Sequence, residues 1–332
     1  MKRTFSDRGI RAVAAIAFAC LPPAVAASEP AAGGYPARPV RIIVPFPPGA
    51  GADVVGRMVG QKLNERFRQT FVIDNRSGAA GLIGVSLVAN APADGHTILL
   101  VTATFTISAA YNRNLPYDSV RDFSAIAPAA TGPLALVVHP SVAANSVKDL
   151  IALANANPGK LNYASGGAGG INHLAGEMFK SMTGTRIAEV PYKGGGPALN
   201  ALLAGEVDIM IATLGSCVTQ IRAGKLKALG MATARRSALM PELATIAEGG
   251  VADFEANTWY GFLAPQKTPA AIVGALNREI ANSLAGESDR ARLAALGFEP
   301  PPAYTPAAFA AYIKSEIARW DRVMKKAGIN PV

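Results

Sequence analysis

Residues 40–57 carry the pattern that most constrains the fold of this chain. A short apolar run, Val40–Val44, lies between two prolines, as is typical of a buried parallel strand. From Asp53 onwards, apolar residues recur at helical spacing as far as Phe67. The loop between these two elements combines stiff prolines with glycines that can adopt backbone angles closed to other residues, namely Pro45, Pro47, Pro48, Gly49 and Gly51.

The order of elements is therefore strand, glycine loop and helix start. The first turn of a helix leaves backbone N–H groups without partners and carries a partial positive charge, so it can hold an anion. The residues around Asp53 favour such an anion site. An ordinary turn between strand and helix, with Asp53 as the N-cap, explains them equally well.

Predicted strands and helices alternate along the whole chain. Its 332 residues are 50% hydrophobic, which is enough for a large core divided between two domains. The alternation predicts an α/β fold with mostly parallel sheets. Breaks in the pattern predict a first domain made of residues 36–130 and 254–332 and a second domain made of residues 131–253.

Residues 1–26 have the pattern of a secretory signal peptide. Basic residues precede an apolar core at 12–21, and a small-residue motif ends at Ala26. The pattern predicts cleavage after Ala26 or Ala27, and the apolar core is too short to span a bilayer. A lipoprotein anchor on Cys20 is the alternative, although the residues before it match a lipid-attachment motif poorly.

The net charge of +9 does not predict a nucleic-acid partner. Beyond the leader, the basic residues are scattered and are not interleaved with aromatic residues, as a nucleic-acid surface would require. A solvated surface explains them, and a mild positive balance also suits a small anionic ligand.

Three glycine-rich loops lie between a predicted strand and a predicted helix, at residues 49–53, 165–173 and 192–197. In open α/β sheets, ligands bind beyond the carboxyl ends of the strands, where such loops gather. Few of their side chains are charged, so the sequence predicts an anion site made of N–H groups and hydroxyls. Further hydroxyls are expected at the end of a strand over 97–102, before an irregular connection over 111–120: Thr102, Thr104, Thr106 and Ser108.

The sequence does not predict an enzyme, a metal site or a cofactor. We expect no Cys, Asp or Glu at metal-ligand spacing from His96, His139 or His173. Ser165 lacks a nucleophile motif and a base, and Cys217 is expected to be a small buried residue. For His173, a hydrogen bond to its glycine loop is favoured over direct contact with a ligand.

Motifs along nearly the whole mature chain resemble one family in order and spacing. They include Pro-Phe-Pro-Pro-Gly-x-Gly-x-Asp ending at Asp53, Asp74-Asn75-Arg76, Pro92-x-Asp94-Gly95, Leu115-Pro116-Tyr117-Asp118, Ser165-x-Gly167-x-Gly169 with His173-Leu174-Ala175-Gly176-Glu177, Val190-Pro191-Tyr192-Lys193-Gly194, and Trp259-x-Gly261. The chain is thus similar to the periplasmic receptors of tripartite tricarboxylate transporters, often called the Bug family.

The resemblance implies a type II periplasmic-binding-protein fold, in which two α/β domains joined by a hinge close on a small carboxylated ligand. It implies that two loops grip the near carboxylate of the ligand, partly through ordered water. Phe46, Pro48, Gly49, Gly51 and Asp53 belong to the first loop, and Ser165, Gly167, Gly169 and Gly170 to the second. The remaining candidate ligand-binding residues are Thr104, Thr106, His173, Tyr192, Gly194 and Thr213.

Three positions depart from the family pattern. Ala50 replaces a usual glycine, and Gly170 replaces a common Ser or Thr. Ala212 stands where many relatives have an acidic residue, so an ammonium group would lose its partner. Because an unpaired buried charge costs several kcal/mol, we expect a ligand without a free α-amino group.

The resemblance favours a monomeric periplasmic receptor that captures a small organic acid and delivers it to membrane transporter subunits. The alternative is a receptor that presents its ligand to a membrane sensor kinase, for which the cleft would look the same. A periplasmic hydrolase using Ser165 or Cys217 is disfavoured because the sequence shows no base beside either residue.

Overall fold

The computed structural model describes Met1 and residues 34–331. The predicted signal peptide, apart from Met1, lies outside the described residues. In the described part of the chain, no helix is both long and apolar enough to cross a membrane.

Strands and helices alternate along the described residues, as the sequence predicts. The strands are β1 (Val40–Val44), β2 (Phe71–Asn75), β3 (Thr97–Thr102), β4 (Phe123–Val138), β5 (Asn162–Ser165), β6 (Ala188–Pro191), β7 (Ile209–Thr213), β8 (Lys227–Met231) and β9 (Asn257–Pro265). The helices are α1 (Gly51–Phe67), α2 (Leu82–Ala89), α3 (Ala103–Tyr111), α4 (Val147–Ala156), α5 (Ile171–Thr183), α6 (Gly195–Leu203), α7 (Leu214–Arg222), α8 (Ala270–Asn282), α9 (Glu287–Ala295) and α10 (Pro306–Ala327).

The strands form one continuous sheet with the order β2-β1-β3-β9-β4-β7-β5-β6, and β8 also pairs with β4. Residues 123–133 of β4 pair with β9, whereas residues 134–138 pair with β7 and β8. We call β1, β2, β3, β9 and residues 123–133 the first half-sheet. The second half-sheet is β5, β6, β7, β8 and residues 134–138.

The expectation of mostly parallel sheets is wrong. Pairings of β1 with β2 and β3, and of β5 with β6 and β7, are parallel. All pairings of β4 and β9 are antiparallel. These two long strands run through the middle of the sheet against their neighbours, which makes the sheet mixed.

The apolar pattern of the sequence predicts a strand only over 134–139, so the first part of β4 was missed. Pro128 and Pro133 interrupt that part, and proline cannot donate a ladder hydrogen bond. The strand accommodates the interruption by shifting its register against β9 around Ile126 and Ala129. Such shifts behave as bulges, which local sequence patterns reveal poorly.

Two helices that begin beside the sheet were also missed. The hydroxyl-rich segment after β3 is not an extension of the strand: it is α3, whose N-cap Thr102 accepts a hydrogen bond from the Thr104 N–H. The predicted irregular connection over 111–120 therefore starts at the last residue of a helix. Helix α7 follows β7 directly, with Thr213 as its N-cap residue.

Apolar residues at three- and four-residue steps predict a C-terminal helix over 306–326, and α10 confirms it. The Thr305 side chain caps it by accepting from the Ala308 N–H. Its apolar face is buried through Phe309, Ile313, Trp320 and Met324. It packs against α3 and β4 and also against α5, so one helix contacts elements of both half-sheets.

Candidate functional site

Five helices begin around one cavity, each directly after a strand. Helices α1 and α3 follow β1 and β3 of the first half-sheet, and α5, α6 and α7 follow β5, β6 and β7 of the second. The empty space of the cavity, counted together with the open solvent at its entrance, is about 630 Å³. Its lining residues are Phe46, Ala50, Gly51, Ala52, Ala80, Thr102, Thr104, Gly166, Gly170, Ile171, Asn172, Gly194, Gly195, Gly196, Met210, Thr213, Ser216, Thr258 and Tyr260.

The lining of this cavity contains no charged side chain among the described residues. The lining includes the first turns of helices, where the backbone N–H groups have no partner within the helix. In the described chain, no backbone or side-chain acceptor bonds the N–H groups of Gly51, Ala52, Ile171 or Asn172. These donors, together with the helix dipoles, make the cavity electropositive without Lys or Arg.

Hydroxyl groups and the amide of Asn172 add further polar surface. Tyr260 on β9 is buried with 2% of its surface exposed, and it lines the cavity beside Thr213. Burial raises the pKa of Tyr260 and the contact with Thr213 lowers it, with a net rise. The phenol is therefore neutral near pH 7 and can donate a hydrogen bond.

The start of α1 approaches Tyr260 closely. A Cβ atom on Gly51 would lie 2.6 Å from the Tyr260 hydroxyl oxygen, so an alanine at this position would force Tyr260 or the start of α1 to shift. Tyr260 thus lies next to the start of α1 from the first half-sheet and the start of α7 from the second.

Asp53 supports the first loop from inside the helix. The structure corrects its predicted position, because Ala50 is the N-cap residue and Asp53 lies in the first turn. The carboxylate accepts hydrogen bonds from Gly49 N at 3.0 Å, Arg57 Nε at 2.9 Å and Asn75 Nδ2 at 3.0 Å. Burial alone would raise the pKa of Asp53, but these bonds hold it below its ordinary value.

A second network supports the loop between β5 and α5. Ser165 Oγ donates to Glu189 Oε1 at 2.6 Å and accepts from Gly167 N at 3.2 Å. His173 Nδ1 accepts from Gly169 N at 3.3 Å, and its Nε2 lies 3.7 Å from Glu189 Oε2. The N–H groups of Gly167 and Gly169 are therefore used within the protein.

A model of the family described as "Tripartite tricarboxylate transporter family receptor" matches residues 55–329. This chain belongs to that family. Protein BugT of Bordetella pertussis is 36% identical over 304 residues, which cover 91% of this chain and 93% of BugT.

Solved structures of similar proteins share the fold of this receptor. The R. palustris protein Rpa4515 with adipate is 38% identical, with a TM-score of 0.87 over 90% of this receptor and 100% of that chain. MatC from Rhodopseudomonas palustris with bound malate is 29% identical, with a TM-score of 0.83 over 87% of this receptor and 99% of that chain. The α/β periplasmic-binding-protein fold expected from the sequence is thereby confirmed.

The cavity brings together part of the predicted site of the receptor. Six of the predicted residues line it: Phe46, Gly51, Thr104, Gly170, Gly194 and Thr213. Gly167, Gly169 and Tyr192 instead line an outer chamber at its mouth, which Phe46, Ala80, Gly166 and Gly194 share with the cavity. Ligand contact at all of these positions stays a prediction.

The other predicted residues lie outside both chambers. Pro48, Gly49, Asp53, Thr106, Ser165 and His173 line neither chamber. Thr106, for example, is fully buried and donates its hydroxyl to Ala103 O.

Sequence reasoning missed four polar residues that line the cavity: Asn172, Ser216, Thr258 and Tyr260. Tyr260 lies inside the quoted Trp-x-Gly motif, which was the available signal. Ser216 lies in the first turn of α7, and the sequence pattern did not reveal that helix, so Ser216 could not be predicted.

The empty space of the outer chamber, counted together with adjoining open solvent, is about 1420 Å³. Lys193 is the one charged residue among its described lining residues. Its side chain is exposed and forms no ion pair with a described residue.

The expectation that no histidine has acidic neighbours at ligand spacing is wrong. His173, Glu177 and Glu189 place one nitrogen or oxygen atom each within 4.8 Å of one another. The four-residue step from His173 to Glu177 along α5 was the missed signal. Because Nδ1 accepts from Gly169, the ring proton lies on Nε2, and Lys180 Nζ binds Glu177 Oε1 at 2.7 Å. The cluster therefore suits a hydrogen-bonded network better than a metal ion.

Neither candidate nucleophile faces the cavity. Ser165 is fully buried behind its loop and donates to a carboxylate. Burial raises the pKa of Cys217 to about 12, so its thiol is not activated.

Ala212, which stands where many relatives have an acidic residue, is buried in an apolar cluster and does not line the cavity.

Proposed function

We propose that this receptor is exported to the periplasm, captures a small carboxylate in the cavity and delivers it to a tripartite tricarboxylate-type membrane transporter. The observation that carries the proposal is the cavity itself, where five helices begin and no described lining residue is charged. A carboxylate accepts hydrogen bonds from the free N–H groups and is stabilised by the helix dipoles. A neutral ligand gains little from the dipoles, and a cation is repelled.

We further propose that the ligand lacks a free α-amino group. Among the described lining residues there is no Asp or Glu to pair with an ammonium group. The adipate and malate in the structures of the two relatives are acids without an amino group, which supports the same class of ligand here.

The predicted division into residues 36–130 with 254–332 and residues 131–253 suits closure around this cavity. The pairing of β4 changes partners between Pro133 and Leu134, next to the predicted boundary. Walls from both half-sheets line the cavity, so a hinge there would open and close it.

Native mass spectrometry and thermal shifts test the proposal. The mature protein, purified without refolding, is weighed for a bound acid and then heated with matched pairs such as succinate and aspartate, or glutarate and glutamate. We expect an acid without an amino group to raise the Tm and its amino-acid partner to leave it unchanged. An equal or larger shift from the amino acids would contradict the ligand class, and no shift from any carboxylate would contradict the carboxylate site.

A further inference from the structure

Glu189 lies within β6, outside both chambers of the site. Its side chain is 27% exposed, and its two oxygens face different residues of the loop between β5 and α5. Oε1 accepts the Ser165 hydroxyl at 2.6 Å, and Oε2 lies 3.7 Å from His173 Nε2.

Ser165 is the last residue of β5 and His173 lies in the first turn of α5, so the two flank that loop, and each accepts a hydrogen bond from one glycine N–H. Ser165 Oγ accepts from Gly167 N, and His173 Nδ1 accepts from Gly169 N. Both glycines have left-handed backbone angles, with φ of +104° and +74°. Glycine has the largest conformational freedom to lose, so this loop depends on such contacts for a fixed shape.

The carboxylate of Glu189 sets the direction of both hydrogen bonds. Because the Ser165 proton is given to Glu189, the lone pairs of Ser165 Oγ are left for Gly167. Because the His173 Nε2 proton faces Glu189, Nδ1 is left unprotonated for Gly169. Glu177 also has a carboxylate oxygen within 4.8 Å of His173, but its Oε1 accepts from Tyr163 and Lys180, and the hydroxyl of Ser165 is bonded to Glu189 instead.

The geometry points to Glu189 as a positioning residue for ligand binding. By ordering Ser165 and His173, it turns the N–H groups of Gly167 and Gly169 inward. The first-turn N–H groups of Ile171 and Asn172 then remain at the cavity wall. The inference has two parts, an effect on the order of the loop (the loop arm) and an effect on ligand affinity (the binding arm). Only the binding arm rests on the proposed function, because the order of the loop can be measured without a ligand.

Amide hydrogen exchange of the ligand-free protein, resolved by NMR, tests the loop arm. The Glu189→Ala variant is expected to speed exchange at both Gly167 and Gly169 by roughly tenfold, the equivalent of one lost hydrogen bond. Exchange at Gly49, which is bound by Asp53, should not change. Unchanged exchange at Gly167 and Gly169 would overturn the inference.

The Glu189→Gln variant separates the two contacts and covers the case in which the alanine variant does not fold. Its amide oxygen can still accept from Ser165, but its NH₂ group faces the His173 Nε2 proton. Exchange should therefore rise at Gly169 and stay near wild type at Gly167. Equal protection of Gly169 in this variant and the wild type would contradict the function of His173.

Calorimetric binding of adipate and of malate tests the binding arm. For whichever acid the wild type binds, Glu189→Ala should bind roughly tenfold more weakly, while the exposed control Glu206→Gln should match the wild type. Faster exchange at both glycines with unchanged affinity would overturn the effect on binding. If the wild type binds neither these acids nor any acid of the thermal-shift experiment, the proposed function fails. The exchange measurement still tests whether Glu189 orders the loop.

Discussion

The two loops that carry the cavity are held by carboxylates in different ways. In the first loop, Asp53 lies in the helix that it supports and binds Gly49 four residues before it. In the second, Glu189 comes from another strand, 24 residues beyond Ser165, and acts through a hydroxyl and an imidazole. Asp53, with its partner Arg57, holds the first loop through contacts within α1 and its own loop. Glu189 can hold the second loop only if β5 and β6 are packed together.

Removing the local carboxylate should have the largest effect. Asp53→Ala removes three hydrogen bonds to a buried charged group, so we expect the free energy of unfolding to fall by about 2–4 kcal/mol. Denaturant unfolding measures the loss. The matched control is Asp149→Ala, because Asp149 accepts from Asn145 N at 3.0 Å in the same arrangement on the exposed helix α4. If Asp149→Ala lowers the free energy of unfolding as much as Asp53→Ala does, the buried position and three hydrogen bonds of Asp53 do not explain its effect.

Crowding the start of α1 should have the next largest effect. The methyl group of Gly51→Ala would meet the Tyr260 hydroxyl at 2.6 Å, so stability should fall by about 1–3 kcal/mol and carboxylate affinity should fall with it. Gly274→Ala is the control, because a Cβ on Gly274 in α8 meets nothing within 4 Å and should stabilise the helix by about 0.5–1 kcal/mol. Wild-type stability and affinity in Gly51→Ala would show that the close approach does not matter.

Acid should weaken the first loop in a defined direction. The pKa of Asp53 is lowered from 3.8 in the folded protein, so its stabilisation is complete well above that value. The stabilisation is lost as the pH falls from the unfolded-state value of 3.8 through the lower folded-state pKa, because the carboxyl group of the unfolded chain takes up its proton first and the unfolded state is thereby favoured. Unfolding at pH 7 and at pH 3 should show a smaller acid loss for Asp53→Asn than for the wild type. Identical acid losses would contradict this function of Asp53.

Removing one hydroxyl between the starts of α1 and α7 should weaken binding without unfolding the protein. Tyr260→Phe keeps the buried ring, and we expect carboxylate affinity to fall by roughly fivefold, about 1 kcal/mol. The Tm should change little. Wild-type affinity measured by calorimetry would show that Tyr260 shapes the cavity but does not bind the ligand.

The exposed Lys193 at the outer chamber should have the smallest effect. Lys193→Gln is expected to weaken binding of a dicarboxylate by roughly twofold at low salt and not measurably at high salt. The exposed Lys160→Gln is the control. A large loss that persists at high salt would mean that Lys193 directly contacts the ligand.

The sequence was most informative where structure is local. The β1 strand, the loop before α1 and the α10 face follow from patterns within a few residues, and so did the expectation that helix starts form an anion site. The sequence did not reveal the elements whose structure depends on residues far away along the chain. The β4 residues that contain Pro128 and Pro133 form a strand only because β9 lies beside them, and Glu189 supports a loop far from it in sequence. Helix α7 and Tyr260 joined the site for the same reason.

The most direct test of the central claim is calorimetric titration of the mature receptor with an acid and its uncharged amide of the same shape, for example adipate and adipamide, or the corresponding pair for the acid that gives the largest thermal shift. If helix starts and backbone N–H groups hold an anion, the acid should bind and the amide should give no measurable heat of binding. Comparable affinity for both compounds would contradict the claim that the cavity recognises a carboxylate.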